Sequence, residues 1–507
     1  MPLFLKRFKL GSNRSKEQDR ESDNGNSPQS KMATTKSAAS ELRALADLIN
    51  GAVAQIEAAC ASRSQTYPLA DEPFTPQSEA ARMSPDVLVP GNIIVAAAAQ
   101  LITAVRIPAL TLSVTASSSY LTSSLRLAIS THVPEILREA GPQGLHAKEI
   151  ASKTTVDPIK LARALRLLTT HHIFREVAPD VFTNNRVSSL IDTGKPVADI
   201  LAHPENKFDG TSGIAAVLEH VSDEGLKSSG WLAETIMDEK FGPSQEPNET
   251  AFNKAYNTPL PVFPWWELPE NALRLKRFGI GMQGTQNMAS PGAILEGYGW
   301  KDLPKGSVVV DVGGGVGSHS LVLAKAHEHL EFVVQDRDAV ITDAVKYWDA
   351  QFPAAVKGNR VKLQAHDFFT PQPVKAPAVF LLRMVLHDWS DKYASLILKQ
   401  LRGAAGPDTQ LLVVDNTIEY ACEDTTSARD IPGAVVPLPP APLLANKGAA
   451  GALPYFADLH MMSLCNGDER TVSRFQKLLQ ENGWKLTKVI HVTGFEVENA
   501  KLVAVPI

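Results

Sequence analysis

The sequence predicts an α/β fold in which a mainly helical N-terminal part precedes a mostly parallel, doubly wound sheet. From residue 306 onward, short apolar runs rich in β-branched residues alternate with helical patterns, which is typical of strands and crossover helices in a parallel sheet. The chain ends in two strand-like runs, 485–492 and 501–507, joined by a short connection. We therefore expect an antiparallel hairpin to close the sheet.

Length, charge and cysteine content restrict the possible functions. The chain has 507 residues, more than one hydrophobic core usually holds, so we expect several domains. Its formal net charge of −5 argues against a nucleic-acid partner bound through phosphate neutralisation. Cys60, Cys422 and Cys465 lie far apart without metal-ligand spacing, so we expect no metal and a reducing, cytoplasmic compartment. Residues 1–38 are polar and serine-rich, which predicts a disordered tail.

The N-terminal helical part contains two uncharged runs, 87–105 and 107–125, that are nearly long enough to span a membrane. The first contains proline, glycine and amide residues, the second is rich in serine and threonine, and Arg106 separates them. This composition favours helices buried in the protein over membrane spans. Apolar residues at helical spacing predict a further helix at 41–61, and several prolines predict a linker at 70–90.

Residues 119–190 have the element order of a winged helix, in which helices are followed by a hairpin. A short helix is expected within 144–154, and a longer one begins after Asp157, a capping residue, with Pro158 at its first position. Two strand-like pieces, 174–177 and 181–183, follow on either side of a turn.

A winged helix raises the hypothesis of DNA binding. The helix after Asp157 carries Lys160, Arg163 and Arg166, which is what a recognition helix requires. No wider basic surface accompanies these three residues, and basic residues on an amphipathic helix are more often simply solvated. We therefore keep DNA binding as the less favoured interpretation.

Two further regions bear on a binding pocket. Residues 210–295 are expected to be mostly helical and include Phe263, Trp265 and Trp266, which could line a pocket or pack a loop onto the core. Residues 420–452 are rich in proline, alanine and glycine and are expected to form an irregular insert between a strand and the following helix.

The run VVVDVGGGVG, residues 308–317, predicts a buried strand that ends in a glycine turn before a helix. Gly313 and Gly315 are present but no glycine follows at 318, so the full G-x-G-x-x-G pattern of dinucleotide sites is missed and no pyrophosphate is inferred. Asp336 ends the next strand, about 20 residues later. A carboxylate at that position can accept hydrogen bonds from both hydroxyls of a ribose.

Further polar residues follow the later strands, at the edge where open α/β sheets bind ligands. Asp367 and Phe368 could contact a purine, although an aspartate after a strand is also a common cap. His387 could take a proton from a phenol, or it could be a structural histidine bonded to a backbone carbonyl. Asp415 and Glu469 could each orient its imidazole. Three titratable groups near one cleft favour catalysis.

These motifs together resemble the plant and fungal O-methyltransferases that depend on S-adenosylmethionine, the class that includes caffeic acid O-methyltransferase. The resemblance covers about residues 40–507 and is strongest over 308–391, where DVGGGVG, the strand-end aspartate, the D-F pair and HDWSD occur in order. It implies a Rossmann-like methyltransferase domain preceded by a winged-helix-like dimerisation domain that does not bind DNA, and therefore a homodimer.

The implied domain organisation is a dimerisation region at 39–195, a helical acceptor-binding and connecting region at 196–295, and the cofactor-binding domain at 296–507. The resemblance further implies that Gly313 and Gly315 lie against the cofactor's amino-acid end. Asp336 then binds the ribose, and Asp367 and Phe368 hold the adenine. Arg383 stands where the family usually has lysine near the cofactor, and its donor geometry differs from that of lysine.

The resemblance assigns the catalytic and acceptor-binding positions as well. His387 matches the general base, Glu469 matches one flanking carboxylate, and Asp415 stands where the plant enzymes carry a glutamate that is one methylene longer. Asp388 matches an acceptor-contacting residue. Three other residues resemble acceptor-pocket positions: Phe278, Met282 and Met461. The implied reaction needs no metal, because the histidine and its acid replace a cation.

The leading hypothesis is therefore an O-methyltransferase acting on a phenolic hydroxyl of an aromatic or polyketide-like secondary metabolite. One alternative is a family relative that acts on another acceptor atom or catalyses decarboxylation or cyclisation. A second alternative is a winged-helix regulator with a relict cofactor domain. The presence of Gly313, Asp336, His387 and Glu469 argues against decay of the site.

Overall fold

A computed structural model of the chain describes residues 38–286, 292–491 and 499–507. The predicted tail therefore lies outside the described residues, apart from its last position. The described chain has a helical N-terminal part, a small three-stranded sheet, a second helical stretch and a seven-stranded sheet.

The described part of the chain opens with five helices. They are α1 (Ala38–Ser62), α2 (Pro76–Glu79), α3 (Pro85–Val105), α4 (Pro108–Ala116) and α5 (Ser119–Ser130). The helix predicted at 41–61 is confirmed. The linker predicted at 70–90 is wrong at its end, because α3 begins at Pro85 and continues through Pro90. Packing of α3 along α1 stabilises the helix despite the backbone hydrogen bond that Pro90 cannot make.

The two uncharged runs were predicted to form buried helices. They are helical, as predicted, but most of their residues are not buried. On α3 only Val87, Pro90, Ala96 and Ala97 are buried, and no residue of α4 is. Leu112 is 71% exposed. Within the described ranges, α3 is the one helix whose length and composition would allow it to cross a membrane, a criterion that a long apolar helix at a protein interface also meets.

The winged-helix order is confirmed. Its elements are α6 (Val133–Ala140), β1 (Leu145–His146), α7 (Ala147–Ser152), α8 (Pro158–Thr170), β2 (Arg175–Ala178), β3 (Val181–Thr183), α9 (Arg186–Ser189) and α10 (Val197–Ala202). The strands pair antiparallel in the order β1-β3-β2. Asp157 caps α8 by accepting the backbone N–H groups of Ile159 and Lys160.

The basic residues of α8 are not all free to contact a polyanion. The Arg166 guanidinium donates to Glu176 at 2.8 Å and to Asp180 at 2.6 Å, both from the β2–β3 hairpin. The hairpin thereby neutralises one of the three charges on which a DNA-binding interpretation depends.

The second helical stretch confirms the prediction for 210–295 over the described residues. It comprises α11 (Ile214–His220), a π-helical turn (Val221–Gly225), α12 (Leu226–Ser229), α13 (Leu232–Ile236), α14 (Ala251–Tyr256), α15 (Val262–Trp266) and α16 (Ala272–Gln286). Helices α11 and α16 pack against each other along their length.

The C-terminal sheet is mostly parallel, as predicted. Its strands are β4 (Val308–Val312), β5 (Glu331–Asp336), β6 (Val361–Ala365), β7 (Val379–Arg383), β8 (Gln410–Asp415), β9 (Trp484–Ile490) and β10 (Ala500–Pro506). They lie in the order β6-β5-β4-β7-β8-β10-β9. Strand β10 alone runs opposite to the other six strands, and with β9 it forms the expected terminal hairpin, whose connection lies largely outside the described residues.

Helices cover both faces of this sheet and create two apolar cores. They are α17 (Ser318–Ala326), α18 (Asp338–Gln351), α19 (Pro353–Lys357), α20 (Asp391–Arg402), α21 (Leu453–Cys465) and α22 (Val472–Glu481). The insert at 420–452 is irregular, as predicted, and contains two short 3-10 turns. It also contacts α3, where the Gln100 side chain donates to the backbone oxygen of Pro442 at 3.2 Å.

Candidate active site

The polar residues singled out in the sequence gather at one edge of the large sheet. Parallel strands place their carboxyl ends side by side, and β4, β5, β6, β7 and β8 all end at this edge. Asp336 and Asp415 are the last residues of β5 and β8. Gly313, Asp367 and His387 follow β4, β6 and β7.

The glycine turn after β4 needs glycine at Gly313 for two reasons. Its φ of +68° disfavours any side chain, and a Cβ would meet a Val385 methyl group at 3.0 Å and the Phe368 ring at 3.5 Å. Gly315 also has a positive φ, +61°, and its backbone N–H donates to the carboxylate of Asp336 at 2.8 Å. The turn and the next strand end are therefore joined directly.

Asp336 ends β5 directly beside the glycine turn. Its second oxygen accepts the N–H of Arg337 at 2.8 Å, and burial raises the pKa of its carboxyl group. Asp367, at the next strand end, is exposed and accepts the N–H of Phe369 at 3.0 Å. Phe368 lies half-buried between Gly313 and the Trp389 ring.

Arg383 and Asp311 add buried charge beneath this edge. Burial lowers the pKa of the Arg383 guanidinium, and Asp311 and Asp415 oppose that effect. Within the described chain the Arg383 side chain makes no hydrogen bond. Asp311, which sequence reasoning overlooked, accepts the Ser320 hydroxyl at 2.6 Å, and burial raises its pKa to about 6. We call Gly313, Gly315, Asp336, Asp367, Phe368 and Arg383 the cofactor edge.

His387 lies on a 3-10 turn just after β7 and is 8% exposed. Its Nδ1 is 2.9 Å from a carboxylate oxygen of Glu469, which also accepts the side-chain N–H of Asn416 at 3.0 Å. Its Nε2 lies 3.5 Å from the Asp388 carboxylate. Among the described residues neither ring nitrogen bonds a backbone carbonyl, which was the structural alternative for His387.

The charges around His387 favour its protonated form. Burial lowers its pKa, but the carboxylates of Asp388 and Glu469 outweigh burial and raise the pKa to about 10. Burial in turn raises the pKa of Asp388 to about 6, against the effect of His387.

Asp415 lies in the same cluster without a hydrogen bond to the imidazole. Its residue is fully buried, and neither carboxylate oxygen has a hydrogen-bond partner among the described residues. Burial raises its pKa to about 6, and the nearby His387 opposes this. Glu469, not Asp415, therefore orients the histidine, and Asp415 acts on it through charge alone.

The residues that resemble acceptor-pocket positions lie between α11, α15, α16 and α21. Phe278 stacks on Trp266 with ring centroids 4.3 Å apart, and Met461 packs in the same cluster. Met282 lies one turn beyond Phe278 on α16 and is half-buried. Trp265 belongs to the same cluster and packs edge-on against Phe252.

Comparisons with known proteins identify the family of the chain. A family model described as the O-methyltransferase domain matches residues 240–485, and one described as the O-methyltransferase dimerisation domain matches residues 114–193. An O-methyltransferase of Armillaria gallica is 43% identical over 472 residues, which cover 92% of this chain and all of that protein. The chain belongs to the O-methyltransferase family. It is an S-adenosylmethionine-dependent enzyme.

One further relative supports the assignment, and a solved structure supports the fold. A 4-O-methyltransferase of Phanerochaete chrysosporium is 41% identical, with 89% of this chain and 96% of that protein covered. Among solved structures, LepI in complex with S-adenosylmethionine superposes with a TM-score of 0.63 at 18% identity, covering 84% of this chain and 96% of that one. At that identity the superposition supports the fold. The winged helix corresponds to the family's dimerisation domain, so the DNA-binding interpretation is set aside.

The cofactor edge of this O-methyltransferase fits S-adenosylmethionine. A Cβ at Gly315 would meet nothing within 4 Å, so the turn is open to a ligand at that position. The carboxylate of Asp336 and the unbonded guanidinium of Arg383 supply an acceptor and a donor on either side of that turn.

Proposed function

We propose that this enzyme methylates a phenolic hydroxyl of an aromatic or polyketide-like metabolite, with His387 as the general base. The observation that carries the proposal is the His387–Glu469 pair, a buried imidazole whose Nδ1 is held at 2.9 Å while its Nε2 remains on the side of Asp388. The pair stands immediately beside the cofactor edge in the sheet order.

The cofactor edge supplies the binding and orientation that methyl transfer requires. When bound, S-adenosylmethionine supplies an electrophilic methyl group on a sulfonium. Asp336 would hold the ribose, Asp367 and Phe368 the adenine, and Arg383 a negatively charged group. Positioning of the acceptor oxygen is then the main catalytic task, because aligned reactants avoid a large entropic barrier.

The His387 cluster would supply the proton transfer. The Glu469 carboxylate accepts Nδ1–H, so Nε2 carries the lone pair that can take a phenolic proton. The surrounding carboxylates stabilise the imidazolium that this transfer produces. A positioned general base contributes about 10²–10⁴ in rate.

The same carboxylates keep His387 protonated in the free enzyme at neutral pH, because its pKa is raised to about 10. A positive charge bound nearby disfavours a second cation and lowers the pKa of the histidine. Loading of the site with a cationic cofactor therefore favours the basic form of His387.

A homodimer is the second part of the proposal. The dimerisation domain of the family supports it, and so do the exposed apolar side chains of α3 and α4, among them Ile102, Val105 and Leu110. Apolar surface of this extent is usually covered by a partner.

The test is labelled methyl transfer into a panel of phenols and aromatic polyketides, with His387→Gln compared with the wild type. We expect turnover to fall by roughly a hundredfold or more while calorimetry shows unchanged cofactor affinity. His203→Gln is the matched control, since His203 is exposed and distant from the cluster. Near-normal turnover of His387→Gln would remove the histidine as base.

A further inference from the structure

The turn that carries His387 is short and only weakly held by its own backbone. It consists of Leu386–Asp388, and the two backbone hydrogen bonds that close it are both 3.2 Å long. A single 3-10 turn has poorer hydrogen-bond geometry than an α-helix and little stability of its own. The position of the proposed base therefore depends on contacts from another part of the chain.

Residues 467–470 provide those contacts, and we call this segment the clamp. It connects two helices, since Asn466 ends α21 before it and Thr471 caps α22 after it. The backbone of Arg470 also pairs with Thr417, two residues beyond the end of β8. The clamp is therefore fixed by two helix ends and by an extension of the large sheet.

The clamp approaches the turn so closely that its first residue must be glycine. A Cβ on Gly467 would overlap the backbone oxygen of His387 and would lie 3.0 Å from the carbonyl carbon of Asp388. The N–H of the next residue, Asp468, donates to that same His387 oxygen at 2.8 Å. The backbone of the clamp thus lies directly against the backbone of the proposed base.

Arg470 adds side-chain contacts between the clamp and the turn. Its side chain is fully buried, and its guanidinium donates to the backbone oxygens of Leu386 at 2.9 Å and of Trp389 at 2.7 Å. These two carbonyls lie on either side of His387 in the chain. The Nε–H of the same guanidinium donates to the carboxylate of Asp391 at 2.8 Å. The planar fork of an arginine holds several acceptors in one fixed geometry, whereas a lysine ammonium is a compact point charge.

One short segment therefore holds both the backbone and the ring of His387. Asp468 and Arg470 bind the backbone of the turn, and Glu469, between them, lies 2.9 Å from Nδ1 of the imidazole. With backbone and Nδ1 both held, the direction of Nε2 is fixed relative to the sheet. Methyl transfer depends on such alignment, because a misplacement of about 1 Å can cost about 100-fold in rate.

The burial of Arg470 indicates a role beyond packing. Removing a guanidinium from water costs free energy, and apolar side chains of similar volume often stabilise a core equally well or better. Arg470 is nevertheless fully buried, and its donors are spent on the backbone of the turn that carries the base. A fixed position of that turn is what this costly arrangement provides.

We propose that Arg470 is a positioning residue for methyl transfer, which fixes the backbone of the His387 turn while Glu469 fixes the ring. Gly467 belongs to the same arrangement, because it allows the clamp to reach the turn. The inference rests on the proposed function, since Arg470 has this role only if His387 is the base. A base whose supporting residues are removed keeps its chemistry but loses its aim.

The experiment places Arg470→Lys in the wild type and in His387→Gln and measures labelled methyl transfer to the phenols that the wild type methylates. Lysine keeps the charge and loses the fork. In the wild type kcat should fall about tenfold or more, with cofactor affinity unchanged in calorimetry. In His387→Gln there is no base to position, so the same substitution should lower kcat less than about threefold. A merely structural role would lower kcat equally in both backgrounds.

Arg474→Lys is the matched control. Arg474 pairs with the same two carboxylates, those of Asp391 and Asp468, but its side chain is exposed. Among the described residues its guanidinium bonds to these carboxylates and to no carbonyl of the turn. We expect Arg474→Lys to change kcat less than about twofold, because no contact with the turn is lost.

Gly467→Ala provides a second variant that removes no polar group. Its methyl group must displace the backbone of His387, so kcat should fall about tenfold or more in the wild type and less than about threefold in His387→Gln. If Arg470→Lys does not fold, this pair decides. Equal losses in the two backgrounds, or normal kcat in the variant tested, would overturn the proposal. Near-normal turnover of His387→Gln alone would instead overturn the proposed function.

Discussion

The cofactor edge differs from a second group of side chains in how far apart its parts lie in the sequence. We call this second group, which lies among the residues that resemble acceptor-pocket positions, the acceptor wall; it consists of His220, Trp266, Phe278, His460 and Met461. The cofactor edge is drawn from residues 313–383 and depends largely on backbone conformation, as at Gly313 and Gly315. The acceptor wall joins residues 220–278 to residues 460–461 through side chains alone. Local backbone geometry can be recognised as a motif, whereas a wall of distant side chains can differ between enzymes that share the motif. The cofactor site can therefore be recognised from motifs that the family shares, whereas the acceptor site depends on side chains of the individual chain.

The largest expected effect tests the backbone character of the cofactor edge. Gly313→Val forces a β-branched residue into φ +68° and against Val385, so cofactor affinity should fall on the order of 100-fold or more in calorimetry. Gly279→Ala is the matched control, because a Cβ there meets nothing within 4 Å. Normal affinity in Gly313→Val would show that this turn does not approach the cofactor.

A smaller loss is expected from the side-chain part of the same edge. Asp336→Ala should weaken cofactor binding by roughly tenfold or more, because a charged acceptor for two hydroxyls is removed. Asp336→Asn retains an oxygen for the Gly315 N–H and should lose less. Unchanged calorimetric affinity in Asp336→Ala would refute the ribose assignment. It would mean that the backbone of the turn holds the cofactor without this side chain.

The next prediction concerns the charge cluster between the two regions. Asp415 is ionised above about pH 6, and its negative charge helps to keep the His387 pKa high. A base works only when deprotonated, so activity should rise with pH. Removal of this charge in Asp415→Asn should move the rise to lower pH by roughly one unit.

The measurement for Asp415→Asn is the pH profile of kcat/KM for the acceptor at saturating cofactor. Asp430→Asn, an exposed aspartate in the insert, is the control and should leave the profile in place. A shift to higher pH in Asp415→Asn would contradict the electrostatic role given to this residue.

The smallest effect should be confined to stability. Asp157→Ala removes the cap of α8, and we expect a loss of about 1 kcal/mol in the free energy of unfolding of the winged-helix region. Urea unfolding measures this loss, and calorimetry should show unchanged cofactor affinity. A weakened cofactor site would instead mean that the dimerisation domain and the cofactor edge are energetically coupled.

The elements that could be predicted are those whose cause is local. Strand β4, its glycine turn and α17 follow from the alternation of β-branched residues, glycines and a helical pattern within about 20 residues. The cap at Asp157 and the C-terminal hairpin are of the same kind. The stretch around Pro90 was predicted as a linker because proline costs a helix one backbone hydrogen bond. The sequence does not show that α1 packs along this helix and offsets that cost.

The burial of helices and the hydrogen-bond pairing of distant side chains could not be predicted in the same way. The apolar runs of α3 and α4 are helical as expected, but an apolar composition does not say whether the protein's own core covers the helix. The residues alone allowed either Asp415 or Glu469 to orient the imidazole, and the resemblance noted only that Asp415 is one methylene shorter than the glutamate of the plant enzymes. The extra methylene of Glu469 and its position before α22 allow it to reach the imidazole, and Asp415 does not reach it.

The sequence by itself determined the order of the elements, the glycine turn and the identity of the polar residues that end each strand, because backbone preference and side-chain chemistry act over short distances. Only the tertiary structure decided that Glu469 holds His387 and that His220 and His460 meet across 240 residues. Such contacts depend on how helices pack over the sheet, and packing is a sum of many weak interactions that no short stretch of chain contains.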